Sequence, residues 1–394
     1  MPWKETHTMD LKVCLIADWL SGNYTVTGLA RIYGVSRKTI YKWIKRFRDE
    51  GNLHDRKRTP QTNPNAVPDG TKKMIIATKH MYPHLGPIKI MDHLCRIYPD
   101  HYWPADSTAG IILKQAGLVR PRRRKPKVAS NPMPFSSCDS PNAIWSADYK
   151  GDFSLGDRTR CYPLTVSDNY SRYLLACQAL TNTSFARAQP VFERLFIKYG
   201  LPSAIRIDNG SPFASTAFGG LSHLSAWWVR LGIRPERIEK GKPSQNGRHE
   251  RMHRSLKDGA INPARYSIKV QQKAFNQYLD EYNNIRSHEA LADQLPADVY
   301  RPSDRRMPGK IADIEYGPEY EIRKVRQNGE VKWQGNLVYL SQVFAKEPIA
   351  FKQLSETHWG VYYSFYLLGY WNQKKQKLEP IQSSKKNRKN KVNK

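Results

Sequence analysis

Three carboxylates and two histidines carry the residue types from which this chain could build a reactive centre. The stretch HERMHR, residues 249–254, spells H-E-x-x-H. It sets His249 and His253 one helical turn apart with Glu250 between them, the donor spacing of a zinc metalloprotease helix. Asp148 lies in IWSADY, whose β-forming residues predict a strand. Asp208 ends the short strand-like run SAIRID and opens the turn DNG. Two carboxylates on strands and one near the start of a helix make an oxygen-donor set, which suits hard cations such as Mg²⁺ or Mn²⁺. Two such ions about 3.5–4 Å apart can hold the attacking and leaving oxygens of an in-line displacement at phosphorus. A zinc site would need His249, His253 and a third ligand, with Glu281 or Glu289 on offer. Arg248, Arg251 and Arg254 crowd those turns with positive charge, which disfavours a dication on neutral imidazoles. The zinc reading also leaves Asp148 and Asp208 unused.

Arg254 and Lys257 follow Glu250 at i+4 and i+7, so a helix puts all three on one face, where a polynucleotide strand beside the metals would lie. His253, at i+3, is expected near that strand. Asn209, Gln245 and Asn246 are polar residues expected to shape the site or touch DNA, although DNG and QNG are also turn formers. Two further acids compete for the first position. Asp152 shares strand parity with Asp148, and Asp168, in VSDNYSRY, reads as a structural residue at a strand end.

The elements that must position these residues sit in a strongly basic chain. Of 394 residues, 64 are Lys or Arg and 35 are Asp or Glu, a net charge of +29, which favours a polyanionic partner. Five scattered cysteines form no C-x-x-C pair, so neither a zinc ribbon nor a disulfide framework is expected. Met1 to Asp10 is polar and does not read as a signal peptide, and the apolar run 361–371 is too short to span a bilayer. The expected setting is intracellular, with no membrane partner.

Residues 1–58 read as a helix-turn-helix DNA-binding domain. Asp10 can cap a first helix, and Ser36 is a good N-cap for the second helix of the motif. Ile40, Trp43, Ile44 and Phe47 make its apolar face, while Arg37, Lys38, Tyr41, Lys42 and Lys45 fall largely opposite and are expected to meet the major groove. Residues 59–70 are a Pro/Asn-rich linker. Residues 71–119 form a second helical unit, with Ser107 as a possible cap, that either contacts DNA or is a small structural bundle. Residues 120–142 are a basic, Pro-rich linker in which Arg122, Arg123 and Arg124 are expected to track phosphates. From 143 to 305 the texture is α/β. Residues 315–380 read as strands, with Asn328-Gly329 as a hairpin signal, and predict a small β-barrel. A disordered basic tail, 381–394, ends the chain.

Taken together, IWSADYKGDF, IRIDNGSPF and GKPSQNGRHERMHRSLK resemble the three acidic motifs of the DDE transposase and retroviral-integrase family, and YNNIRSHEAL resembles its following helix. The opening helix-turn-helix and the late β module resemble one bacterial insertion-sequence branch. Forty-one residues separate Asp208 from Glu250, longer than the integrase pattern, with the extra length placed in 215–228 as a loop or helix extension. The resemblance implies a multidomain chain: all-α helix-turn-helix units, then a central α/β RNase H-like core with a mixed five-stranded sheet, then the β-barrel. It also implies Asp148, Asp208 and Glu250 as catalytic metal ligands for two Mg²⁺ or Mn²⁺ ions. The implied partner is double-stranded DNA, as element terminal inverted repeats and target, bound by a homo-oligomer. The implied activity is 3′-end cleavage and strand transfer without a covalent enzyme intermediate. The alternative is a catalytically silent, sequence-specific DNA-binding regulator derived from a transposase.

Overall fold

The computed structural model describes residues 8–55, 66–119, 138–238 and 247–381. The chain divides into two compact units, Met1–Ala66 and Val67–Lys394.

The first unit holds α1 (Thr8–Leu20), α2 (Val26–Ile32) and α3 (Arg37–Glu50). Helix α1 begins ahead of Asp10, which sits in its first turn rather than capping it. Ser36 caps α3, its hydroxyl accepting the Thr39 N–H at 3.2 Å. Gly34 takes φ 63° in the turn between α2 and α3, where a side chain would be strained. Leu15, Ile16, Leu29, Ile40, Trp43 and Ile44 form the core.

The second unit opens with α4 (Asp69–Met81), α5 (Pro87–Ile97) and α6 (Asp106–Gln115), around Ile75, Ile90, Leu94 and Leu113. Helix α6 starts at Asp106, so Ser107 lies inside it and makes no cap bond. This bundle is tied to later segments: Lys89 Nζ reaches Asp293 at 3.3 Å, Arg96 donates to Asp293 O at 2.6 Å, and His84 meets Glu281 at 3.6 Å.

Next comes the mixed sheet. Strands β1 (Ile144–Tyr149), β3 (Arg160–Asp168) and β4 (Leu174–Leu180) are antiparallel neighbours. Strand β5 (Ala204–Ile207) runs parallel to β1, and β6 (Arg234–Arg237) runs parallel to β5. The two-residue β2 (Phe153–Ser154) makes a sixth strand, pairing with the start of β3. Helix α7 (Phe185–Tyr199) covers one face, where Trp145, Leu164, Ile205, Phe192 and Phe196 are buried together. On the other side, α9 (Gly247–Leu256), a π-helical turn (Lys257–Ile261) and α10 (Ile268–Asn284) pack Met252, Leu256, Phe275 and Tyr278 against β4. The extra length between Asp208 and Glu250 is helical. Helix α8 (His223–Arg230) starts at a Ser222 capping box. It buries Leu224 and Trp228 in the sheet's core, and Ala226 and Val229 in a second core further along the chain. The one-turn α11 (Pro296–Val299) follows α10.

That second core belongs to the C-terminal region. Strands β7 (Glu321–Lys324), β10 (Pro348–Gln353), β11 (His358–Tyr363), β12 (Tyr366–Asn372) and β13 (Lys377–Pro380) form an open sheet in the order β13-β12-β11-β10-β7. A separate hairpin joins β8 (Glu330–Trp333) to β9 (Asn336–Tyr339). The expected barrel is therefore corrected: β7 pairs with β10 alone, and β8 pairs with β9, so the sheet does not close. The expected hairpin also moves. Asn328-Gly329 does make a tight turn, with Gly329 N–H on Arg326 O at 3.0 Å, but β7 and β8 form no ladder. The hairpin turn is Gln334-Gly335, with φ 46° and 82°, as a type I′ turn needs. Trp333 stacks on Phe351 at 3.8 Å and fastens the hairpin to the sheet. Among the described residues, no helix is long and apolar enough to cross a membrane.

Candidate active site

Strand β1 carries Asp148 opposite Thr165 of β3. Strand β5, parallel to β1, ends at Ile207, so Asp208 leaves the sheet beside the strand that bears Asp148. The Asp208 carboxylate accepts the Gly210 N–H at 3.0 Å, which fixes the turn. Glu250 lies on α9, exposed. The three acids interact. Burial first, then the charges of Asp208 and Glu250, together push the Asp148 carboxyl up to about 7 against the opposing pull of the Tyr149 N–H and Lys150. The Asp148 side chain keeps 20% exposure, enough for a ligand to reach it. Three oxygen donors, two of whose charges act on the third, suit a hard divalent cation, so these residues fit the expected metal. Asp152 is held in an ion pair with Arg160. Asp168 is buried and accepts three bonds, from Asn142 N–H and from the Ser171 N–H and hydroxyl, at 2.7–2.8 Å.

The histidines lie differently from expectation. His249, Met252, His253 and Leu256 occupy positions i, i+3, i+4 and i+7, the buried stripe of α9. His253 is 6% exposed, so its expected place at the DNA is corrected: the ring faces the sheet. Both Nε2 atoms lie 2.7 Å from Thr165 Oγ1, which donates its one proton to Asp148 O at 3.0 Å. Both imidazoles must therefore donate to Thr165 through Nε2–H. His249 Nδ1 then accepts from Ser167 Oγ at 3.2 Å, and His253 Nδ1 faces Asp148 Oδ2 at 4.0 Å. Burial pushes His249 down to about 3 and His253 to about 2, so both are neutral near pH 7. Asp148, His249 and His253 bring three donor atoms within 4.8 Å of one another. The third partner at the histidines is thus Asp148, while Glu281 sits against His84 and Gln277. With both Nε2–H groups engaged by Thr165 and Glu250 turned outward, a peptidase zinc site is not formed.

Of the residues expected at DNA, Arg254 and Lys257 are exposed on α9 and at the start of the π-helical turn. Asn209 is exposed and donates its amide to Ile238 O at 2.7 Å, tying the loop after β5 to the end of β6. In the first unit, Arg37, Lys38, Tyr41, Lys42 and Lys45 are all exposed along α3. Arg122, Arg123, Arg124, Gln245 and Asn246 lie outside the described residues. Sequence reasoning missed the roles of Thr165 and His249. The signal for His249 was present, because both histidines share the apolar stripe with Met252 and Leu256.

Two integrase core domain models match the chain, over residues 139–243 and 231–296, and a helix-turn-helix domain model matches residues 11–60. Together the two integrase core matches span residues 139–296. Among the relatives is the insertion element IS407 uncharacterized 31.7 kDa protein of Burkholderia multivorans, 28% identical over 193 residues. That match covers 48% of this chain and 66% of the relative. The insertion element IS476 uncharacterized 39.2 kDa protein of Xanthomonas euvesicatoria is 28% identical over 45% of this chain and 50% of its own length. The chain thus spans less than two thirds of the length of either relative. Of the solved structures, the HTLV-2 integrase catalytic core domain in complex with magnesium aligns at TM-score 0.34 and 15% identity, over 42% of this chain and all of that one. The resemblance to DDE transposases of bacterial insertion sequences is carried by the integrase core, the helix-turn-helix domain ahead of it and the insertion-element relatives.

Proposed function

We propose that this chain is an active transposase that cuts the 3′ ends of its own mobile element and joins them to target DNA. The observation that carries this reading is the convergence of the acids on one carboxyl: the charges of Asp208 and Glu250 both raise Asp148, as neighbouring ligands of one cation site would. In this reading Asp148, Asp208 and Glu250 hold Mg²⁺ or Mn²⁺, two ions per site. Bound there, the cations supply positive charge at phosphorus and lower the barrier to in-line attack. Arg254 and Lys257 hold the strand by its phosphates beside Glu250. Thr165, braced by His249 and His253, fixes the β1 backbone from which Asp148 projects. The helix-turn-helix unit reads the element's terminal repeats through the exposed α3 face. Arg122, Arg123 and Arg124 track phosphates, and Asn209, Gln245 and Asn246 contact DNA. Two ends must be processed together, which calls for a homo-oligomer on DNA.

The reading is tested with a duplex bearing the inverted repeat that flanks the gene, labelled at its 3′ strand. Wild-type protein with Mg²⁺ nicks that strand at the repeat boundary, and Asp148→Asn does not. Equal behaviour of the two proteins would leave the silent regulator as the better account.

A further inference from the structure

A cavity of about 280 Å³ is bordered by α9, with Lys89, Arg172, Arg251, Arg286, His288 and Glu289 in its wall. These residues come from α5, the β3–β4 turn, α9 and the segment after α10, four elements far apart in sequence. Lys89 is offset by Asp293 at 3.3 Å and Asp92 at 3.7 Å. Arg251 and Arg286 meet neutral groups instead. Arg251 donates to Gly247 O at 3.3 Å, and Arg286 bonds the Ser255 hydroxyl and lies 5.6 Å from the Tyr282 ring centre. Glu289 is the one carboxylate among the residues lining the cavity. His288 Nε2 is buried there with no hydrogen-bond partner among the described residues. Burial pushes His288 down to about 3, with Arg286, Lys89 and Arg172 adding to the depression, so the cavity is a region of positive potential. The Arg251 and Arg286 guanidinium groups on neutral partners, beside a buried imidazole nitrogen, are the chemistry of a phosphate site.

We propose that this cavity binds a backbone phosphate of DNA, separately from the carboxylate site. It rests on the reading of the chain as a DNA-binding enzyme, and it adds a second anchor for the strand. Arg251 is the residue after Glu250, so α9 presents an acid to the metals and a base to this phosphate. The contact is to phosphate and reads no base, so it strengthens binding equally on any sequence.

The test is fluorescence anisotropy of full-length protein on element-end and scrambled duplexes, in EDTA, across a salt series. Arg251→Gln is expected to weaken both duplexes by the same factor and to reduce the slope of log affinity against log salt by about 1. Arg251→Lys keeps the charge and is expected to restore the slope. Arg172→Gln is the second variant, and unchanged melting temperature and circular dichroism show that each variant folds. A parallel titration with inorganic phosphate, followed by melting temperature, separates the sources. Stabilisation by free phosphate that Arg251→Gln removes, with an unchanged DNA slope, would mean that the cavity takes a free anion and would overturn the proposal. No change in either readout would also overturn it. Asp148→Asn in EDTA is expected to keep the wild-type slope, so loss of Mg²⁺-dependent nicking and loss of this phosphate contact fail independently.

Discussion

At the scale of single residues, the account turns on Asp148 and the hydroxyl behind it. Thr165 is fully buried, and two imidazole N–H groups depend on its oxygen. Thr165→Val keeps the shape and removes the acceptor for both, leaving two buried donors at about 1–3 kcal/mol each. Urea unfolding is expected to show a loss of that order, and a variant as stable as wild type would mean the network is not formed. The raised Asp148 carboxyl makes a pH prediction. Its folded value, about 7, lies above the ordinary carboxylate value of 3.8, so the folded chain holds a proton that the unfolded chain has lost. Its contribution to stability is complete below about pH 4 and fades as pH rises through 7. A bound cation takes the proton's place. Mn²⁺ is therefore expected to raise the melting temperature more at pH 8 than at pH 6, and an equal rise at both would contradict the assignment. The placement of Asp148 on a strand, Asp208 just past a strand and Glu250 in the first turn of a helix was legible because strand and helix signals mark those elements. The inward turn of His253 was not, because the H-E-x-x-H spacing drew attention to ligands and away from the stripe shared with Met252 and Leu256.

At the scale of elements, α8 explains the length between Asp208 and Glu250. It buries Leu224 and Trp228 beneath the mixed sheet and Ala226 and Val229 beneath the C-terminal sheet, so the extra residues join two cores. The loop ahead of α8 packs closely on β12. Gly219 takes φ 76°, and an added Cβ would stand 2.5 Å from Leu368 Cδ2. Gly219→Ala is expected to lower the melting temperature by displacing β12, measured by scanning calorimetry, whereas a neutral result would mean that the two cores are not coupled there. Sequence reading reached the strands and most helices because β-branched runs, the Ser36 cap and the glycine stops are local signals. It placed the barrel and the 328–329 hairpin wrongly because closure and pairing depend on which distant strand competes for an edge, as β10 does for β7. It also left 71–119 between two roles. The bundle's ion pair to Asp293 and its His84 contact to Glu281 join residues about 200 positions apart, which no local pattern announces.

At the scale of the whole molecule, charge and division of labour decide. The chain carries +29 and folds as two compact units. A fragment of residues 67–394 is expected to keep its cooperative melting and its metal-dependent nicking, and to lose the preference for element ends over scrambled duplex. Retained preference would move sequence reading out of the helix-turn-helix unit. The central claim is that Asp148, Asp208 and Glu250 form one metal site for chemistry at phosphorus. The most direct measurement mixes a pre-cut, 3′-labelled element end with supercoiled plasmid and Mn²⁺, using wild type, Asp148→Asn, Asp208→Asn and Glu250→Gln. The account predicts label joined to plasmid through the element's 3′ end with wild type, free of bound protein, and a loss of at least about 100-fold in each variant. Joining by any of the three variants at the wild-type rate would contradict it.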